Sequence, residues 1–190
     1  HLHVSDAGLD SIKRLPERIT SESPFNSTRF NLLNSYIRYQ VTEGRIYAYS
    51  QDNPEYELNI YDLEGNLLKK VRKEYRKVRL YEEYKKRRME WFRKHPLSRV
   101  HKMEGYFPDH YAPVSHLYVD DRGRIYAETF ELGDSPEMKG IDILTADGAY
   151  IGNVYLKDAQ KRKFQGDYLY ALHEKENGFQ QLVVSRMNWE

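Results

Sequence analysis

A short phrase recurs three times along this chain, and each copy places a turn glycine before an aliphatic residue, a tyrosine and an alanine. The copies are Gly44–Ala48 (Gly-Arg-Ile-Tyr-Ala), Gly123–Ala127 with the same five residues, and the looser Gly166–Ala171. The first two are followed by a second strand-like segment that ends in another glycine turn, at Gly65 and Gly148. This recurrence predicts a repeat protein, in which each unit buries its apolar face against its neighbours.

The segments around the repeated phrase alternate in character with a period of two, which indicates β-strands. The first set of four runs over 36–41, 45–50, 56–61 and 66–71. Glu-Gly and Asp-rich turns join them, and glycine supplies the positive φ that a hairpin needs. Comparable segments within 115–154 and 163–187 predict a second and a third set.

Aligned on the aliphatic position, the three copies lie 79 and 44 residues apart. A repeat of about 40 to 50 residues with four antiparallel strands is typical of a β-propeller blade. The longer spacing then requires an insertion between the first two blades. A β-sandwich with similar hairpins is the alternative, since glycine turns are common there too. We expect an all-β chain that forms a partial six-bladed β-propeller of about three blades with one helical insertion.

This interpretation divides the chain into five segments. They are 1–29 (the last two strands of a preceding blade and a linker), 30–71 (a blade), 72–110 (the helical insertion), 111–156 (a blade) and 157–190 (a final blade without its last strand). The total is about 13 strands, against roughly 24 in a closed ring of six four-stranded blades. We therefore expect a missing N-terminal half or a second chain to complete the ring.

Composition narrows the class of protein. With 39% hydrophobic and 31% charged residues the chain has the balance of a globular domain. The net charge of +1 gives no overall attraction to nucleic acid, and the sequence contains no stretch of about 18 apolar residues that would span a membrane. Cysteine is absent, which excludes disulfides and thiolate metal ligands. We expect no cofactor.

The insertion is strongly basic. Residues 73–94 contain ten Lys or Arg and four Glu, a local charge of +6. The stretch Leu80–Phe92 has neither Gly nor Pro, so we expect a helix that ends before His95-Pro96. Leu80, Tyr84 and Trp91 share one predicted apolar stripe, with Tyr81, Met89 and Phe92 nearby. The solvent-facing side of this predicted helix suggests polyanion binding, with aromatic residues that can stack beside the cations. The candidate residues are Lys85, Lys86, Arg87, Arg88, Tyr84 and Trp91. A helix packed on the propeller edge with solvated lysines is the favoured alternative.

Candidates for metal binding or catalysis are few. His116 and Asp120 are the weak metal candidates, although no histidine or carboxylate follows a known ligand spacing. Asp120–Gly123 resembles a calcium loop but is explained by a hairpin turn. A propeller enzyme of the lactonase or lyase type, with a metal in its channel, is the enzyme alternative, and its ligands would come from Glu43, Asp52, His116 and Asp120. No nucleophile elbow or phosphate-binding glycine loop is present.

The equivalent tyrosines Tyr47, Tyr126 and Tyr170 could form a ligand-binding belt. We expect them to pack between blades instead, with each hydroxyl bonded to a backbone group.

Several motifs together carry a family resemblance. They are Glu43–Ala48, Tyr61–Leu67, the Lys/Tyr/Glu-rich insertion, Val119–Tyr126 and Phe164–Tyr170. In this order they resemble the C-terminal half of bacterial six-bladed β-propeller proteins of the NHL-repeat-like kind. The resemblance implies the fold, export to the periplasm or cell exterior with a possible lipid anchor, and a non-enzymatic binding or scaffold role toward a protein, peptide or glycan.

Overall fold

The computed structural model describes residues 3–5, 12–14, 29–33, 37–42, 44–51, 53–94, 104–132 and 138–188. Within them the chain forms fifteen β-strands and one α-helix. The expected all-β class is confirmed at this level, because strands dominate and the described part contains a single helix. That helix is neither long nor apolar enough to cross a membrane.

The strands follow one another mostly as hairpins. Their bounds are β1 (His3–Ser5), β2 (Ile12–Arg14), β3 (Arg29–Asn31), β4 (Ile37–Thr42), β5 (Arg45–Ser50), β6 (Tyr56–Asp62), β7 (Leu67–Lys73), β8 (Glu104–Tyr106), β9 (Val114–Val119), β10 (Ile125–Leu132), β11 (Met138–Leu144), β12 (Tyr150–Lys157), β13 (Lys161–Gln165), β14 (Tyr168–Glu174) and β15 (Gln180–Arg186). Helix α1 (Glu82–Lys94) lies between β7 and β8.

Most strands belong to three antiparallel sheets in which sequence neighbours pair. The first sheet has the order β4-β5-β6-β7, the second β9-β10-β11-β12 and the third β13-β14-β15. The repeated phrase forms the second strand of each sheet. The other strands form two small pairs, β1 with β2 antiparallel and β3 with β8 parallel. Within the described strands, none of these sheets is closed.

The turn between β9 and β10 shows why the phrase begins with glycine. Gly123 has a φ of +74°, which strains any residue with a Cβ. The carboxylate of Asp120 accepts the backbone N–H groups of Arg122 and Arg124 at 2.9 and 2.8 Å. Asp120–Gly123 thus forms a hairpin turn whose acidic side chain bonds to its own backbone.

The phrase also sets how the sheets stack, because neighbouring side chains on a strand point to opposite faces. Ile125 packs toward the first sheet, in a cluster that contains Tyr47. Tyr126 packs toward the third sheet and stacks on Phe164, with ring centroids 3.9 Å apart. In both repeats the tyrosine lies on the face toward the next sheet in chain order. The aliphatic residue lies on the opposite face, which we call the preceding face.

Contacts between sheets concentrate at their first strands. Strand β4 contacts β9, and β9 contacts β13. The hydroxyl of Tyr49 donates to the carbonyl of Ser115 across the first interface, at 2.7 Å. At the same interface, Lys73 Nζ at the end of β7 lies 2.7 Å from Asp142 Oδ1 of β11. The three sheets therefore stack in chain order.

The segment 72–110 contains helix α1, which begins two residues later than the predicted helical stretch Leu80–Phe92. The N–H of Tyr111 donates to the carbonyl of Val78, and that of Leu80 to the carbonyl of Asp109, at 2.9 and 3.1 Å. These bonds hold residues 78–80 in an extended conformation, so the helix begins only at Glu82. The expected stop at His95-Pro96 lies outside the described residues.

The predicted apolar stripe of the helix is wrong at Trp91. Trp91 is 47% exposed, and the guanidinium of Arg88 lies 4.3 Å from the centroid of its ring. The buried residue is Phe92, whose ring lies so close to Gly105 that a Cβ there would be 3.0 Å away. Leu80 is buried but precedes the helix. The position of β8 under α1 decides which side is buried, and helical spacing alone does not indicate it.

Candidate binding cleft beside the third sheet

A cleft of about 1050 Å³ opens between the second and third sheets. One wall comes from the end of β12 and the loop that follows it, with Leu156 and Lys157. The opposite wall is the face of the third sheet that carries Leu169, Ala171 and Val183. Strand alternation places these side chains together, since Ala171 and Val183 are directly opposite each other in the β14–β15 register.

A glycine turn positions β15 beside this cleft. The N–H of Lys175 donates to the carbonyl of Phe179, and Gly178, with a φ of +80°, donates to the carbonyl of Lys175, both at 2.8 Å. The tight turn fixes the register of the hairpin, so Gln181, Val183 and Ser185 face the cleft.

One edge of β15 is unpaired within the described strands. β15 is the outermost strand of the third sheet, and all seven of its residues are exposed. In the first and second sheets the corresponding edge carries a fourth strand, β7 or β12. Among the described strands, the third sheet therefore presents an open edge where the other two have a paired one.

The hydrogen-bond pattern identifies which backbone groups this edge offers. The N–H groups of Lys175 and Met187 bond to the carbonyls of Phe179 and Asp167, so the odd-numbered residues of β15 face β14. Because antiparallel strands alternate, the N–H and C=O groups of the even-numbered residues point to the open side. These residues are Gln180, Leu182, Val184 and Arg186.

Arg162 lies at the base of the cleft with its side chain 1% exposed. Its guanidinium forms an ion pair with Glu128 of the second sheet and donates to the carbonyl of Lys157 at 2.8 Å. The Nε atom has no hydrogen-bond partner among the described residues. A buried donor without a partner is energetically unfavourable.

Glu128, the partner of Arg162, makes two further side-chain contacts. It accepts a hydrogen bond from the hydroxyl of Ser115 at 3.0 Å, and His116 Nδ1 lies 3.5 Å from its carboxylate. Burial raises the pKa of Glu128, but the hydrogen bond with His116 and the charge of Arg162 outweigh it, and the pKa falls below its ordinary value. The carboxylate is therefore charged at neutral pH.

The rim of the cleft is polar. His173 Nδ1 lies 2.9 Å from the carbonyl of Asp158, and Gln160 is hydrogen bonded to Glu174. The cleft thus combines an apolar wall, a buried Arg162–Glu128 ion pair at its base and the unpaired edge of β15.

The basic helix proposed from the sequence lies on another part of the molecule. Lys85 pairs with Glu82 at 2.7 Å, and Arg88 Nε donates to the carbonyl of Leu32 at 3.1 Å. Tyr84 packs edge-on against Tyr111, with centroids 5.7 Å apart. Lys86, Arg87 and Trp91 are exposed. Two of the proposed polyanion contacts, Tyr84 and Arg88, thus attach the helix to the rest of the molecule.

The sequence-based metal and enzyme candidates do not form a described cluster. Asp120 bonds to the turn backbone, to Arg124 and to the hydroxyl of Tyr126, which donates at 3.1 Å to this carboxylate and not to a backbone group as expected. His116 contacts Glu128. Glu43 and Asp52 lie outside the described residues. In the ranges that the structure describes, no group of three His, Asp or Glu could hold a metal ion.

Sequence reasoning missed Arg162, His173 and the cleft itself. The alternating signal was present in Lys161–Gln165, but three of its five residues are basic and nothing local shows which one is buried. Comparison with known proteins adds no constraint: no family model, curated protein or solved structure matches this chain.

Proposed function

We propose that this chain is a non-enzymatic binding module that accepts an extended polypeptide strand at the open edge of β15. The observation that carries the proposal is the conjunction of that seven-residue edge with the adjoining cleft. In strand addition, main-chain hydrogen bonds supply affinity and pockets for alternate side chains supply specificity. Of the protein, peptide and glycan ligands considered from the sequence, an extended polypeptide fits best.

We also infer that the three sheets are successive blades of a propeller. Support comes from their stacking in chain order, the contacts of first strand with first strand, and the four-stranded meanders of the first two sheets. In this arrangement the bound strand occupies the place that β7 and β12 hold in their own sheets. It comes from another polypeptide or from further blades of a longer protein.

The cleft predicts the character of the bound strand. Alternate side chains of a strand beside β15 point into the cleft, next to Val183 and opposite Leu156. Aliphatic residues suit that wall. Arg162 lies buried at the base, paired with Glu128.

A peptide with the sequence of Tyr150–Lys157 is a suitable probe, because this segment is the fourth strand of the second sheet. We expect titration with this octapeptide to shift the backbone amide resonances of β15 and to slow hydrogen exchange at Leu182 and Val184. A peptide of the same sequence with every backbone amide N-methylated lacks the donors for both edges, and it should not bind.

The variant Val184→Pro is the matched control on the protein side. Proline removes an N–H that points to the open edge while leaving the β14 hydrogen bonds in place. We expect this variant to fold and to bind the peptide at least about tenfold more weakly, a loss of about 1.4 kcal/mol. Equal binding by Val184→Pro, or no slowing of amide exchange with the unmethylated peptide, would contradict the proposal.

A further inference from the structure

The opposite face of the third sheet carries a second surface, separate from the cleft. Its residues alternate with those that face the cleft: Lys161, Lys163 and Gln165 from β13, Tyr168, Tyr170 and Leu172 from β14, and Leu182, Val184 and Arg186 from β15. We call this set the outer face. It combines an apolar centre with basic margins.

The repeats show what such a face does elsewhere in the chain. Tyr47, Tyr126 and Tyr170 are equivalent, and each is directly opposite a branched aliphatic residue on the next strand. In the first two sheets these partners, Ile60 and Ile143, are 2% and 6% exposed because the following sheet covers them.

In the third sheet the same positions are uncovered. Val184, the partner of Tyr170, is 53% exposed. Two residues earlier, Leu58 and Ile141 are 1% and 0% exposed, whereas the equivalent Leu182 is 61% exposed. The third sheet keeps the apolar pattern of an interface without the covering sheet. Isolated apolar residues are common on surfaces, but a contiguous set in an interface pattern marks a binding site.

The charged side chains of the outer face further limit which partner can dock there. At both described interfaces charged side chains meet an opposite charge across the gap, as in Lys73 with Asp142 and Arg122 with Asp167. On the outer face, Lys161, Lys163 and Arg186 form no ion pair within the described part of the chain. The neighbouring carboxylate of Glu174, at the end of β14 and on the rim of the cleft, is hydrogen bonded to Gln160 instead.

We propose that the outer face docks another β-sheet, one that presents aliphatic and alanine side chains bordered by carboxylates. A second copy of this outer face is a poor partner, since it would bring the basic margins of both copies together. The preceding face of the second sheet has the required character, with Ile125, Ala127 and Leu144 beside Asp142. It already packs on the equivalent face of the first sheet.

A tandem protein tests this inference. The full chain is followed, through a flexible linker, by a second copy of residues 111–157, which supplies the preceding face of the second sheet as the probe. Because the chain has no cysteine, Leu182→Cys introduces a unique thiol on the outer face. We expect the thiol to react with a maleimide at least about tenfold more slowly in the tandem protein than in the single chain, as a 10:1 docking equilibrium requires.

Two controls make the result specific. Val154→Cys places a thiol on the exposed β12, outside the outer face, and its labelling rate should be equal in the single and tandem proteins. Lys161→Glu with Lys163→Glu should restore fast labelling at position 182 in the tandem protein. Equal labelling of the Leu182→Cys thiol in both proteins would overturn the inference.

Self-association is the remaining outcome. If the thiol at position 182 of the single chain becomes protected as protein concentration rises, and light scattering shows a dimer, the occupant is a second copy and the proposed acidic partner is wrong. Neither assay uses the octapeptide or the open edge of β15. A failure here therefore leaves the strand-addition proposal intact, and the reverse also holds.

Discussion

Gly148 lies in the turn between β11 and β12, where two requirements for glycine coincide. Its φ is +82°, and a Cβ would approach a methyl group of Val71, on the first sheet, to 2.2 Å. Gly178 has a nearly equal φ of +80° but open space around it. Both positions need glycine for the positive φ, but only Gly148 also needs it because there is no room for a Cβ beside Val71.

We expect Gly178→Ala to lower the free energy of unfolding by about 1–2 kcal/mol, the penalty for a left-handed alanine. Gly148→Ala should lower the free energy of unfolding by the same amount and by about 1–3 kcal/mol more, because the new methyl group overpacks against Val71. Urea denaturation followed by circular dichroism measures both. Equal losses would show that the turn does not pack on the first sheet.

Glu128 predicts a specific pH dependence. Its pKa in the folded protein is below the ordinary value of 4.5, so the stabilisation it provides is present above about pH 4.5 and is lost as the pH falls through the folded pKa. Glu128→Gln removes this contribution and leaves Arg162 without its counter-charge. We expect a loss of about 3 kcal/mol at pH 7.

Below pH 4.5 the unfolding free energy of Glu128→Gln should decline less steeply than that of the wild type. The other carboxylates titrate in both proteins, so the difference between the two curves isolates Glu128. Unfolding titrations at several pH values between 3 and 7 test this. Parallel curves would exclude a charged Glu128 as the partner of Arg162.

At the scale of elements, helix α1 offers a pair of adjacent aromatic residues in opposite environments. Phe92 is buried against Gly105, whereas Trp91 is half exposed and contacts Arg88. We expect Phe92→Ala to lower the unfolding free energy by about 3 kcal/mol through the cavity it leaves. Trp91→Ala should lose about 1 kcal/mol or less, the strength of an exposed cation–π contact. Thermal unfolding distinguishes them, and a larger loss for Trp91→Ala would reverse our assignment of the buried side.

Sequence patterns predicted the strands of the three sheets well, because alternation and glycine turns are local signals. The phrase around Ile125 and Tyr126 indicated the strand, and the recurrence of the tyrosine indicated that it packs between sheets. Longer-range packing could not be predicted in the same way. Which side of α1 is buried depends on β8, and the burial of Arg162 depends on Glu128, which is 34 residues away in sequence.

At the scale of the whole molecule, Lys73 and Asp142 connect the first two sheets. The carboxylate is 3% exposed and the ammonium group lies 2.7 Å from it. Lys69 and Asp147 cross the same interface at 3.8 Å but are largely exposed. A double-mutant cycle with Lys73→Met and Asp142→Asn should give a coupling of about 1–3 kcal/mol.

The exposed pair, tested in the same way with Lys69→Met and Asp147→Asn, should give about 0–0.5 kcal/mol because solvent screens it. Chemical denaturation of the four proteins in each cycle supplies the coupling energies. If the two couplings are equal, the first and second sheets do not pack as closely as described.

The central claim is that the third sheet has an open edge, and amide hydrogen exchange along β15 measures it residue by residue. We expect alternation in the free chain: slow exchange at Gln181, Val183 and Ser185, whose N–H groups bond to β14, and fast exchange at Leu182 and Val184. Uniformly slow exchange from Gln181 to Ser185 in the free chain would contradict the account, because it would mean that a strand already occupies this edge.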